Sequence, residues 1–168
     1  VSKAVTARAV CALAARGEMP LDTAVTDLLA WPTPPAWLRQ HPFTVRQLLN
    51  HTSGLTDAAG YLVEPGDDLL QFLNANDKAV SGRQPGSYFT YANLNYVLLG
   101  HVMETVTHRR FDHILRDEVL LPAGIAGGSR GDVDCVRRCC RACRPMVKTR
   151  QPDRDVAGHN YGGLCLCM

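Results

Sequence analysis

No apolar run in this chain of 168 residues approaches the ~20 residues that span a bilayer, so nothing in it reads as a transmembrane helix. A charge surplus is missing too. The formal net charge is +2 at pH 7, which supports neither nucleic-acid nor membrane-surface binding by the chain as a whole. Cysteine is nearly absent before residue 125, where Cys11 stands alone. Strict apolar–polar alternation hardly occurs before residue 124, which removes the usual signal of half-buried strands. There is no internal repeat, no initiating Met and no leader pattern. The opening residues, Val-Ser-Lys-Ala-Val-Thr-Ala-Arg-Ala-Val, read as a helix already under way, so the chain is expected to be a fragment, and its compartment is not readable.

What is present is an ordinary globular composition, 46% hydrophobic and 20% charged, enough for one domain with a core. It is unevenly spread. Residues 1–124 hold 10 Lys and Arg against 12 Asp and Glu, or −2, and residues 125–168 hold 8 against 4, or +4. The other six cysteines, Cys135, Cys139, Cys140, Cys143, Cys165 and Cys167, crowd the second part. Two units follow: a domain over 1–124 and a Cys/Arg/Gly-rich tail over 125–168.

Local patterns make the first unit mainly helical. From Ser2 to Arg16 an Ala-rich stretch places Val5, Ala9, Ala12 and Leu13 at helical steps, with Gly17 as its stop. A short segment runs from Pro20 to Leu29, and Trp31-Pro32-Thr33-Pro34-Pro35 excludes helix interior. Thr44 and Gln47 fit a capping box for a short helix ending near Asn50, followed by a turn through His51-Thr52-Ser53-Gly54. Another helix is expected from Gly66-Asp67 through Leu73. Leu94 to Val106 is the best-defined helix, with Leu94, Leu98 and Val102 in line and Leu99, Met103 and Val106 beside them. One more runs from Phe111 to Val119, stopped by Pro122 and Gly124. Any sheet must come from elsewhere.

The Leu94 helix follows directly on Gln84-Pro85-Gly86-Ser87-Tyr88-Phe89-Thr90-Tyr91-Ala92-Asn93. Tyr91 and Asn93 therefore stand at a helix mouth, where a hydroxyl and a carboxamide can be held over a cleft. Isolated residues of these types before a helix commonly cap and pack. The segments Leu48-Leu49-Asn50-His51-Thr52-Ser53-Gly54-Leu55, Phe89-Thr90-Tyr91-Ala92-Asn93 and Asn95-Tyr96-Val97-Leu98-Leu99-Gly100 together resemble the serine β-lactamase-like hydrolases, which include class C β-lactamases, DD-peptidases and related esterases.

The resemblance covers about residues 1–124. It implies an α+β parent fold, a sheet flanked by helices plus a helical subdomain, of which this chain holds the helical part. It also implies acyl transfer through a serine ester. In that family the nucleophile belongs to a Ser-x-x-Lys motif, one helical turn bringing hydroxyl and ammonium together. Such a lysine serves as base once burial and nearby positive charge favour its neutral form. Val1-Ser2-Lys3 matches the last three positions, so Lys3 takes the lysine role and the serine belongs directly before Val1. Ser2 does not substitute, because Val5 stands three residues after it and neighbouring helical side chains diverge by about 100°.

Tyr91 matches the family's proton relay and Asn93 the amide that orients lysine and substrate. No cofactor or metal is implied. The partner is a small-molecule or peptide acyl substrate: a β-lactam, a peptidoglycan peptide or an ester. Without a hydroxyl one turn before Lys3, the chain as written is expected to give no turnover. Gly158-His159-Asn160 only faintly resembles the family's third motif, and His159 receives no role. His51 reads as a satisfied turn histidine.

An alternative from another class is a non-catalytic product, either a degraded pseudo-enzyme or a binding module whose tail cysteines and His159 hold zinc. Its spacing lacks paired Cys-x2-Cys knuckles. A disulfide set would need an oxidising compartment. Apolar periodicity stops after Ile125, and Arg137-Arg138-Cys139-Cys140-Arg141-Ala142-Cys143-Arg144 is what a shifted frame in GC-rich coding DNA yields, so the tail is expected to be off-frame and poorly ordered.

Overall fold

The computed structural model describes residues 2–62 and 68–125. The helices are α1 (Ser2–Ala15), α2 (Val25–Leu28), α3 (Ala36–Gln40), α4 (Val45–Leu49), α5 (Leu69–Ala75), α6 (Leu94–Thr107) and α7 (Phe111–Leu115). A 3₁₀ turn covers Asp77–Ala79, and a π-helical turn, Arg116–Leu120, continues α7. Among the described residues there is no strand, and extended pairing is limited to two isolated bridges, Ala24 with Thr44 and Leu55 with Val80. The mainly helical reading of this part therefore holds. The tail and its cysteines, Cys135 to Cys167, lie outside the described residues, as does the expected helix start at Gly66-Asp67. Helix α5 begins at Leu69, with the Asp68 carboxylate accepting from the Leu70 N–H at 2.8 Å.

Helix α6 is the centre. Each residue from Leu94 to Met103 is buried, and a helix that buries its whole circumference belongs inside a core rather than on a surface. Helices α1, α2, α4 and α7 pack around it. Helix α1 turns Thr6, Ala9, Val10 and Leu13 inward. The stripe is displaced from the expected one: Val5 and Ala12 are only part-buried. Thr6 tolerates burial because its hydroxyl donates to the Ser2 carbonyl at 3.2 Å, leaving its methyl group to pack.

The ends of α1 and α7 are joined by charge. Arg16 donates to Glu118 at 2.6 Å and to Glu18 at 2.5 Å, and Arg109 reaches Glu118 at 3.1 Å and also Asp117. The Glu118 side chain is only 12% exposed, and Arg16 above all holds its carboxyl below the usual carboxylate range. Helix α7 was expected to run regularly to Val119. It instead widens after Leu115, the Leu121 N–H bonding the Arg116 carbonyl at 2.8 Å. Helix α3 has no counterpart in the sequence reading, since five residues after a proline run are too few to show a period.

Two turns position the site. The Thr44–Gln47 capping box is present in both directions, at 2.9 and 3.3 Å, and α4 delivers the chain to His51. Beyond it Gly54 has φ +87°, and a Cβ there would lie 2.9 Å from the Arg83 carbonyl oxygen. At Gly17 the chain also turns left-handed, at φ +76°, but the space is open. There the Gly17 N–H bonds the Ala14 carbonyl and the Glu18 N–H the Leu13 carbonyl, closing α1 as expected. Gly17→Ala should therefore cost about 1–2 kcal/mol of backbone strain, and Gly54→Ala roughly 2–4 kcal/mol once the clash is added. Urea unfolding of the two variants checks this; equal losses would contradict it.

Candidate active site

Lys3 comes together with Tyr91 and Asn93, the latter 90 residues further along the chain, where the first turn of α1 meets the start of α6. The Lys3 Nζ donates to Asn93 Oδ1 at 3.0 Å. Its Nζ lies 5.0 Å from the centre of the Tyr91 ring and 5.3 Å from that of Tyr96. Lys3 is half-buried and Tyr91 exposed. The site therefore holds an amine, a phenol and a carboxamide at the mouth of a buried helix.

Asn93 is free to face Lys3 because its side chain makes no cap bond to α6. Asp57 takes that position from outside the helix. Its Oδ2 accepts from the Asn93 N–H at 2.9 Å and its Oδ1 from the Leu94 N–H at 3.0 Å. A carboxylate there also meets the positive end of the helix dipole. The loop carrying Asp57 is anchored one residue earlier, where the Thr56 N–H bonds the Ala79 carbonyl at 2.8 Å and its hydroxyl the Lys78 carbonyl at 2.9 Å.

Behind the site a buried polar network ties the two motif turns together. Ser53 Oγ donates to Asn95 Oδ1 at 2.5 Å, while Asn95 Nδ2 donates to the Ala92 carbonyl at 3.2 Å and to His51 Nδ1 at 3.1 Å. The Ala92 N–H points to the same ring nitrogen at 3.4 Å, and the Thr90 N–H bonds the His51 carbonyl at 2.8 Å. Two N–H groups directed at Nδ1 assign the imidazole proton to Nε2. The ring packs at a tilt against Tyr91 at 4.8 Å and Tyr96 at 5.3 Å and meets Phe89 edge-on at 5.8 Å. Tyr96 is pinned in turn by its hydroxyl, which donates to the Leu49 carbonyl at 3.1 Å.

Burial, with the Lys3 charge second, pushes the His51 pKa below its ordinary value; Asp57 opposes the shift. Burial also lowers His101 and raises the Tyr96 phenol. His51 thus behaves as a satisfied structural histidine. Among the described residues no group of three or more His, Cys, Asp or Glu is arranged to hold a metal ion, and no helix is long and apolar enough to cross a membrane.

The Beta-lactamase family model matches residues 1–129. The chain belongs to the serine β-lactamase and penicillin-binding-protein family. Penicillin-binding protein 4 of Amycolatopsis lactamdurans is 32% identical to it over 126 residues, 74% of this chain and 33% of that protein. Among solved structures, the octameric penicillin-binding protein homologue from Pyrococcus abyssi superposes with TM-score 0.64 at 26% identity, covering 82% of this chain and 33% of its own. EstCE1, a hydrolase with promiscuous acyltransferase activity, gives TM-score 0.60 at 26% identity, over 73% of this chain and 36% of its own. The chain of this family member spans about a third of the length of these relatives. The fold is thus of the β-lactamase type, represented among the described residues by helices.

Sequence reasoning did not single out Asp57, Ser53 or Asn95. Asn95 carried a signal: a carboxamide set among Leu94, Tyr96, Val97, Leu98 and Leu99 must be buried with a partner. Asp57 acts on a helix that starts 37 residues later and carried none.

The native state resists protonation of His51 and His101, whereas the unfolded chain binds those protons near pH 6.5. Their contribution is therefore complete above about pH 6.5 and is lost as pH falls below it. The urea midpoint should drop between pH 7.5 and 5.5. His51→Gln should flatten that slope while lowering the midpoint at pH 7.5, since the Asn95 amide loses an acceptor at roughly 1–3 kcal/mol. An unaltered slope in the variant would contradict the assignment.

Proposed function

We propose that this chain forms the proton-transfer half of a serine hydrolase that moves an acyl group to water through a serine ester. The observation that carries the reading is the Lys3 Nζ to Asn93 Oδ1 contact of 3.0 Å beside the Tyr91 ring. The nucleophile is a serine directly before Val1, completing Ser-x-x-Lys on α1, one turn from Lys3.

The serine oxygen attacks the substrate carbonyl while its proton passes to the Lys3 amine. The Tyr91 hydroxyl relays a proton between that amine and the departing group, and the Asn93 carboxamide holds the Lys3 nitrogen on line. The acyl-serine is then opened by water, which returns a proton through the same groups. The tetrahedral oxyanion requires two backbone N–H donors, one of them at the serine. Neither metal nor cofactor takes part in these steps. The substrate class is an amide, β-lactam or ester. The name of the Amycolatopsis relative favours a β-lactam as the first probe.

Burst kinetics with a chromogenic cephalosporin and a chromogenic ester test this in the full-length protein. Lys3→Ala should lower the acylation rate by about 10²–10⁴. Tyr91→Phe keeps the ring on His51 but removes the hydroxyl, and should lose a similar factor. Rates within twofold of wild type in both variants would refute the roles.

A further inference from the structure

We propose that Asp57 is a positioning residue for the Lys3–Asn93 pair, acting on the reaction through the backbone of Asn93; this rests on the functional reading above. Asparagine is among the strongest N-cap residues because its carboxamide oxygen turns back onto the helix's own N–H groups. At Asn93 that oxygen accepts from Lys3 instead, and the helix N-terminus must be satisfied by another group. Asp57 does this with both carboxylate oxygens, one on the N–H of Asn93 itself and one on that of Leu94.

The two bonds fix the peptide plane entering Asn93 and the one leaving it, and so the direction of its Cα–Cβ bond. The backbone of Asn93 is already helical, at φ −67° and ψ −32°, so its side chain projects from a turn of helix rather than from a loose preceding residue. Asp57 thereby separates two jobs that one Asn93 side chain cannot perform together, ending the helix and holding the lysine. The loop behind Asp57 is fixed through Thr56 to the 3₁₀ turn, which gives the carboxylate a rigid base.

Asp57→Asn is the informative change. It keeps the side-chain shape and one acceptor, but turns an NH2 group toward one of the two backbone N–H donors. A misplacement of the Asn93 oxygen should lower the acylation rate about tenfold or more, with KM within twofold. A plain stabilising cap would instead lower the amount of folded protein and leave the rate per active site alone. The test is a double-mutant cycle with Asn93→Ala in full-length protein, with every rate expressed per titrated active site. If Asp57→Asn does not accumulate, Asp57→Ser, whose hydroxyl still accepts one amide bond, takes its place.

The expected result is a loss of about tenfold from the Asp57 change in the wild-type background and less than twofold in Asn93→Ala. An equal loss in both backgrounds, or none in either, overturns the inference and leaves the reading of the site intact. An Asn93→Ala rate within twofold of wild type overturns that reading and this inference with it.

Discussion

The turn through His51 and Ser53 and the segment from Thr90 to Asn95 are joined by hydrogen bonds that lie out of reach of water. Asn95 is fully buried, Ser53 3% exposed and His51 8% exposed. A buried polar group that loses its partner costs the full desolvation penalty, about 1–3 kcal/mol, so the network tolerates one arrangement and few neighbours of it. Packing alone would place α6 in the core but leave its rotation and its first turn loosely defined. The Ser53–Asn95–His51 bonds fix both, and the His51 ring in turn gives Tyr91 a surface to lie on. Lys3 then meets a carboxamide and a phenol whose positions are set from behind.

Helix ends do the rest. At its C-terminal end α1 is stopped by Gly17 and tied through Arg16 to Glu118, which also takes Arg109. Exposed ion pairs contribute little singly, but this one converges on a carboxylate that is mostly shielded, and it holds α1 against the turn following α7. At its N-terminal end α1 is tied by Lys3. Helix α6 is anchored by burial along its length and by the Asp57 carboxylate at its start. Lys3 thus stands on α1, and Asn93 is the residue that enters α6 with Tyr91 two positions before it, an arrangement that suits chemistry needing atoms held to fractions of an ångström.

Much of this was legible in the residues. The capping box at Thr44 and Gln47 and the stop at Gly17 are local signals, each close to one helical turn from its cause, and the span of α6 is marked by its own apolar steps. Lys3, Tyr91 and Asn93 were reached through the family resemblance, and the fold sets the Lys3 nitrogen against the Asn93 carboxamide and over the Tyr91 ring. What escaped is long-range. The rotation of α1 that buries Thr6 and Val10 depends on the face α6 offers, which α1 cannot encode alone. The Ser53–Asn95 and Asp57–Leu94 bonds join residues 42 and 37 positions apart, and nothing near either partner announces the other. Asn93 is the instructive case. Read locally, it is a cap; in three dimensions another residue satisfies the helix and releases its side chain toward the lysine.

The central proposal is that α1 and the segment leading into α6 present the amine, phenol and carboxamide that serve a serine one turn before Lys3. Its most direct test is peptide mapping of the full-length protein after reaction with a serine-directed fluorophosphonate. The account predicts a single adduct, on the serine immediately preceding Val1. An adduct on Ser2, Ser53 or Ser87, or a protein carrying that serine that takes no label, would contradict it.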